Sequence, residues 1–234
     1  MLFVFHGWAS SKEAIDADTG LDRLGPAHGF IVVTPDGSSN PRTWNFISGA
    51  SGSGTDDYAF VDRLVTHIEQ ELCVDPQRVF ATGHSAGSAF VGFLVCHAPY
   101  RFAGAAMVAA TIPSTCPKNV VPKVISVHGT ADPVVLYHGG LGQGQTVPIP
   151  PVLQTVATLA ARAACRPEPR IDHPMSGVDR ATYLGCRSGS EVEQITIVNG
   201  GHPWPGGLQA KAEERSVPAA QFPASREILD FFGR

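Results

Sequence analysis

The sequence predicts an α/β architecture, a mostly parallel central sheet covered by helices on both faces. Two observations carry this. Short, near-continuous apolar runs alternate along the chain with amphipathic ones, and such runs are what parallel strands buried on both faces require. In addition, the one Gly-x-Ser-x-Gly of the chain, Gly83-His84-Ser85-Ala86-Gly87, falls between an apolar run and a small-residue helical run.

The strand-like segments are Leu2–Phe5, Phe30–Thr34, Val79–Thr82, Ala105–Ala110, Val124–Val127 and Val192–Val198. The clearest helix runs over Asp56–Leu72. Thr55-Asp56-Asp57 supplies a cap and N-terminal negative charge. Phe60, Val61, Leu64, Val65, Ile68 and Leu72 then recur at helical spacing, and Val74-Asp75-Pro76 ends the helix. Further helices are expected over Ser11–Leu24, Ala86–Cys96, Val152–Ala164 and Ser225–Phe232. Two segments, Ser48–Gly54 and the Gly/Gln/Pro-rich Tyr137–Pro151, are too long and polar for core connections. They read either as binding or gating loops or as inert surface.

Composition bounds the function. The chain has 234 residues, 43% hydrophobic and 16% charged, with a net charge of −4. A chain of this size can bury a full core, and it is read as one domain over residues 1–234. The mild acidity and the lack of a Lys/Arg run exclude a nucleic-acid footprint. No stretch approaches the ~18 consecutive apolar residues of a membrane span. Met1 to Gly7 lack the basic start and cleavage site of a signal peptide and read as a core strand that begins abruptly. The expectation is that a leader or outer strand precedes it.

Strand, glycine turn, serine, helix is the context of a nucleophile elbow. The turn is tight enough that the positions two before and two after Ser85 must be glycine. The serine then sits at a helix N-terminus, where the dipole and free N–H groups favour developing negative charge. A serine nucleophile needs a base, and the base an orienting acid. His202, in Asn199-Gly200-Gly201-His202-Pro203-Trp204-Pro205, follows the last strand and is the candidate base. The alternative is a turn histidine packed on Trp204. Asp132, in His128-Gly129-Thr130-Ala131-Asp132-Pro133, follows another core strand and is the candidate acid. The alternative there is an Asx turn before proline. Asp172 and Asp179 lie in a polar excursion with no strand to position them. Two backbone N–H groups are expected to form an oxyanion hole: that of Ala86, and that of Trp8 in the strand-end loop Phe5-His6-Gly7-Trp8. His6, His84 and His128 read as structural.

Trp44 and Trp204, with Trp8, are the tryptophans of the chain. Two of the three abut predicted site loops, and an aromatic wall for substrate and ordinary loop packing explain each of them about equally well. Five cysteines are present, with no Cys-x-x-Cys pair, so neither a metal site nor a redox pair is expected. Cys165 and Cys186 flank a polar, Pro-rich excursion that closure by a disulfide would benefit, which would imply an oxidising compartment. Free buried thiols are the alternative, and the pairing of Cys73, Cys96 and Cys116 stays open.

With these blocks assembled, the chain resembles the polyhydroxybutyrate depolymerase / feruloyl esterase group of α/β-hydrolases, esterases of the carbohydrate esterase family 1 type. The resemblance covers nearly the whole chain and rests on Phe5-His6-Gly7-Trp8, Asp56-Asp57 to Leu64, Cys73 to Gly87, His128 to Val135 and Gly200 to Gly206. It implies an α/β-hydrolase fold, a Ser85–His202–Asp132 triad, no metal or cofactor, secretion, and a bridge between Cys165 and Cys186. The substrate it implies is a hydroxycinnamoyl or acetyl ester on plant polysaccharide, with a polyhydroxyalkanoate or other polyester as the alternative. An acyltransferase or a non-catalytic binding protein on the same scaffold is more remote. Oligomeric state is not legible.

Overall fold

The computed structural model describes residues 1–45, 56–97, 101–110, 122–187 and 189–234. The loop expected at Ser48–Gly54, the residue Thr55 and Cys116 lie outside these.

The elements run β1 (Leu2–Phe5), α1 (Lys12–Thr19), α2 (Leu21–Ala27), β2 (Val32–Val33), α3 (Asp57–Glu71), β3 (Phe80–His84), α4 (Ala86–His97), β4 (Gly104–Val108), β5 (Lys123–Gly129), α5 (Val152–Arg162), β6 (Arg170–Met175), β7 (Val178–Tyr183), β8 (Glu191–Ile197), α6 (Leu208–Glu213) and α7 (Ala224–Gly233). They build an eight-stranded sheet in the order β2-β1-β3-β4-β5-β8-β7-β6. All pairs from β2 to β8 are parallel. The pairs β7–β8 and β6–β7 are antiparallel.

Strand alternation divides the core between the two faces of this sheet. Phe3 and Phe5 of β1 enter one cluster, with Trp44, Val61, Val65 and Phe90. Leu2 and Val4 enter the other, with Ile125, Trp204, Phe222 and Phe231. In the first cluster the rings of Trp44 and Phe90 stack at 5.2 Å, and Phe5 meets both edge-on. α3 starts as expected, with the Asp56 carboxylate accepting from Ala59 N–H at 3.0 Å.

Three expectations are corrected. The helix expected over Ser11–Leu24 is two helices. Ser11 caps α1, but Gly20 takes a left-handed conformation (φ 65°) that ends α1 before α2 begins. The strand expected over Phe30–Thr34 shrinks to Val32–Val33, because at this sheet edge the chain leaves β1 at Thr34, whose hydroxyl donates to Asp16 at 2.8 Å. The polar excursion that holds Asp172 and Asp179 does contain strands. β6 and β7 form an antiparallel hairpin turning at Gly177 (φ 73°). β6 is an edge strand, largely exposed, with Pro174 beside a register shift, so it carries no apolar alternation for periodicity to detect. One helix, α6, was not anticipated.

A disulfide joins Cys165 to Cys186 across this hairpin, 21 residues apart. The Arg166 N–H to Leu184 and Arg187 N–H to Ala163 bonds, both 2.8 Å, flank it. Cys96 is also disulfide-bonded, and Cys73 is a free, exposed thiol. Replacing both Cys165 and Cys186 by Ser is expected to lower the unfolding free energy by about 3 kcal/mol, read from urea denaturation without reductant. An unchanged midpoint would mean that the backbone ladder alone secures the hairpin.

Candidate active site

Three loops at the C-terminal ends of β3, β5 and β8 bring the predicted residues together. Ser85 lies between β3 and α4 with φ 54°, a left-handed conformation that is strained for a residue with a side chain. The glycines around it are sterically required. A Cβ on Gly83 would lie 2.6 Å from the backbone of Gly87, and a Cβ on Gly87 would run into the carbonyls of Phe5 and His6. The end of β1 and the first turn of α4 are therefore in direct backbone contact. The Ser85 N–H donates to Val108 O at 3.0 Å, which ties the elbow to β4.

His202 Nε2 is 2.9 Å from Ser85 Oγ, and His202 Nδ1 is 2.8 Å from Asp132 Oδ2. A carboxylate only accepts, so Nδ1 carries the proton and Nε2 is left to accept from the serine hydroxyl. The Asp132 side chain is fully buried, and that of His202 is 21% exposed. The two readings of Asp132 turn out to be compatible. Its Oδ1 accepts from Val134 and Val135 N–H at 2.8 and 2.9 Å, closing an Asx turn, while Oδ2 faces the imidazole. A second histidine also contributes: His128 Nε2 is 2.8 Å from Val135 O and 3.3 Å from Asp132 Oδ2. Burial alone would raise the Asp132 carboxyl. The bonds from His128, His202 and Val135 outweigh it and hold the group well below the usual carboxylate range.

The loops that carry Asp132 and His202 are tied to each other through their backbones. Thr130 N–H donates to Ile197 O and Ala131 N–H to Gly200 O, both at 2.9 Å, and Asn199 N–H donates to Thr130 Oγ1 at 2.8 Å. His84, inside the elbow, binds the His202 carbonyl through Nε2 at 2.8 Å. His6 braces the first loop: its Nε2 accepts from Gly37 N–H at 3.0 Å and its Nδ1 donates to Gly7 O at 2.7 Å.

Trp8 follows Gly7, whose missing side chain would point to 3.5 Å from the Ser85 Cβ. Among the described residues, neither the Trp8 nor the Ala86 N–H has a hydrogen-bond acceptor. Trp8 as a residue is 66% exposed. The other two tryptophans lie elsewhere than an aromatic wall requires. Trp44 and Trp204 are 4% and 0% exposed. Trp44 Nε1 donates to His6 O at 2.8 Å, and Trp204 Nε1 to Ser225 Oγ at 3.0 Å. Packing accounts for both, and their positions beside site loops reflect that these loops are anchored in the core. A cavity of about 300 Å³ beside Gly7 and His84 is lined also by Ile15, Asp18 and Leu208. A larger one, about 670 Å³, lies at the opposite end of the strands, by Phe80, Lys123 and Phe232.

The profile of the family described as Esterase PHB depolymerase matches residues 1–154. The chain belongs to that family. It is 30% identical over 214 residues to feruloyl esterase B of Piromyces equi, covering 86% of this chain and 39% of that protein. It is 28% identical over 177 residues to feruloyl esterase C of Emericella nidulans, covering 74% and 56%. The chain thus spans only part of the length of these relatives. Among solved structures, an acetyl xylan esterase from Aspergillus awamori superposes with a TM-score of 0.66 at 16% identity, covering 98% of this chain and 88% of that one. A thermostable esterase superposes with a TM-score of 0.57 at 15% identity, covering 98% of this chain and 54% of that one. The shared architecture is the α/β-hydrolase fold.

Sequence reasoning missed His128 as a partner of Asp132. Its place in the motif was visible, but only the fold shows that the ring turns back toward the carboxylate. It also missed the grip of His84 on the His202 backbone, which spans 118 residues.

Burial, with the proximity of His202, lowers the His84 imidazole to about 4. In the unfolded chain the group titrates near ~6.5. Between those values the unfolded state binds a proton that the folded state does not. The stability tied to His84 is therefore complete above the upper value and lost as pH falls toward the lower one. Denaturation curves taken from pH 7 to pH 4 are expected to show this slope in the parent protein and a flatter one in His84→Gln. Equal slopes would remove His84 as its source.

Proposed function

We propose that this chain is a serine carboxylic-ester hydrolase in which Ser85, His202 and Asp132 act as a triad. The carrying observation is the continuous hydrogen-bonded path Ser85–His202–Asp132, with both distances below 3.0 Å. In this reading Ser85 Oγ attacks the ester carbonyl as His202 Nε2 takes its proton. Asp132 holds the tautomer and stabilises the imidazolium. The tetrahedral oxyanion is bound by the N–H groups of Trp8 and Ala86. Each is free of an internal acceptor among the described residues, and the removal of one such donor costs about 3–4 kcal/mol in the transition state. His202 then protonates the departing alcohol, and water, activated by the same imidazole, releases the acid.

The substrate class we favour is a hydroxycinnamoyl or acetyl ester on plant polysaccharide. Support comes from two relatives named as feruloyl esterases and from the exposure of Trp8, the residue after Gly7. Membership of a family described as PHB depolymerase esterases favours a polyester as the second reading. The disulfide between Cys165 and Cys186 supports an extracellular site of action.

Initial rates on methyl ferulate, an acetylated xylo-oligosaccharide, a hydroxybutyrate oligomer and p-nitrophenyl acetate separate these readings. Preference for either of the first two is expected, and preference for the oligomer would move the assignment to polyester. Ser85→Ala is expected to lower kcat/KM by about 10³-fold or more with unchanged circular dichroism. A variant within tenfold of the parent would falsify the nucleophile.

A further inference from the structure

We propose that Glu214 is a positioning residue that sets the backbone from which His202 reaches Ser85. The proposal rests on the reading of His202 as the general base. Glu214 closes α6, its own N–H donating to Ala210 O at 2.8 Å. Its side chain turns back toward the histidine loop, where Oε1 accepts from Gly201 N–H at 2.8 Å. Gly201 directly precedes His202. The approach is so close that a Cβ on Gly201 would collide with the same oxygen.

The other oxygen, Oε2, is buried and has no hydrogen-bond partner among the described residues. Burial raises the carboxyl, and Glu213 and Asp132 add to this against the opposing Gly201 bond. A carboxyl that stabilised the fold would normally satisfy both oxygens or pair with a cation, because an unmatched buried polar atom is destabilising. Glu214 does neither. The contact it makes is with the peptide that orients the candidate base.

The remaining constraints on that loop make the contact consequential. Gly200 O is held by Ala131 N–H, the His202 carbonyl by His84, and the Trp204 indole by Ser225. Gly201 N–H is the link between these points, and its partner comes from α6. That helix is itself anchored at its start, where Gln209 N–H donates to Asp18 Oδ1 at 2.8 Å. Releasing Gly201 frees the φ and ψ just before His202, and hence the aim of an imidazole that must stay within hydrogen-bond reach of Ser85.

The test is steady-state hydrolysis of p-nitrophenyl acetate by the full chain, with unfolding curves for each variant. Displacing a reacting group by 1 Å costs up to ~10²-fold in rate, so Glu214→Ala is expected to lower kcat about tenfold with KM within about twofold. Glu214→Gln keeps the acceptor oxygen and is expected to stay within about twofold of the parent. A kcat within about twofold of the parent for Glu214→Ala, a change confined to KM, or an equal loss in Glu214→Gln each overturns the proposal. If Glu214→Ala does not unfold cooperatively, Glu214→Asp carries the test. Its carboxylate is withdrawn from Gly201 by one methylene, and an unchanged kcat there overturns the proposal. His202→Ala distinguishes the two levels. Loss of activity in it alongside a normal Glu214→Ala defeats only the positioning role, whereas retained activity in His202→Ala defeats the underlying reading.

Discussion

The contact between the end of β1 and the first turn of α4 is the constraint on which the rest of the site depends. Without side chains at Gly83 and Gly87, the backbone of the turn can close on itself and on the carbonyls of Phe5 and His6. That closure pushes Ser85 into its left-handed conformation at the tip. It also fixes where the first loop can lie, since Gly7 and Trp8 continue from those same carbonyls. The strain at one residue is compensated by neighbours that over-determine it: β3 pairs with β1 and β4 on either side, and Phe90 of α4 is locked between Phe5 and Trp44.

The acid and histidine loops obey a related logic by different means. β5 and β8 pair over seven residues, and the loops leaving them stay together through hydrogen bonds from Thr130, Ala131 and Asn199. Gly129 and Gly200 are backbone neighbours at this crossing, where a Cβ on Gly129 would strike the Gly200 carbonyl. The 70-residue separation of Asp132 and His202 is therefore bridged by strand pairing, and the side-chain bond between them is its end point.

How much of this was legible follows from the range of the forces involved. The elbow, the Asp132 loop and the His202 loop announce themselves because their glycines and prolines answer to local backbone geometry. The strands they follow are buried on both faces and so read as apolar runs. β6 was not legible because an exposed edge strand is held by ladder bonds and a disulfide, neither of which leaves a periodic pattern, and β7, paired on both sides, carries Asp179 and Arg180 in place of a continuous apolar run. The break at Gly20 was missed because a second helix starts at the very next residue, Leu21, with no intervening loop to mark the end of the first. Trp44 and Trp204 show the limit most clearly. A bulky aromatic beside a site loop has the same local sequence whether its ring faces substrate or core. Only the packing of Phe5, Phe90 and the α7 region decides for the core. The grip of Glu214 on Gly201 depends on tertiary geometry and leaves no motif.

Electrostatics at the site follow from how its histidines are solvated. In the proposed reaction a positive charge must appear on His202, with the Asp132 carboxylate 2.8 Å from its Nδ1. The ring of His84 lies only 5.0 Å away, centroid to centroid. A charge on His84 would oppose the new imidazolium by about 3 kcal/mol at an effective dielectric of ~20. That is comparable to the worth of a whole oxyanion donor. Burial prevents it, holding His84 near 4 so that at neutral pH the ring can only donate from Nε2 to the His202 carbonyl. The same burial would neutralise Asp132, were it not countered by two backbone N–H groups and two imidazoles. One low-dielectric setting thus keeps one group neutral and another charged. The difference lies in the donors each is given, so the charge distribution the reaction needs is present before any substrate arrives.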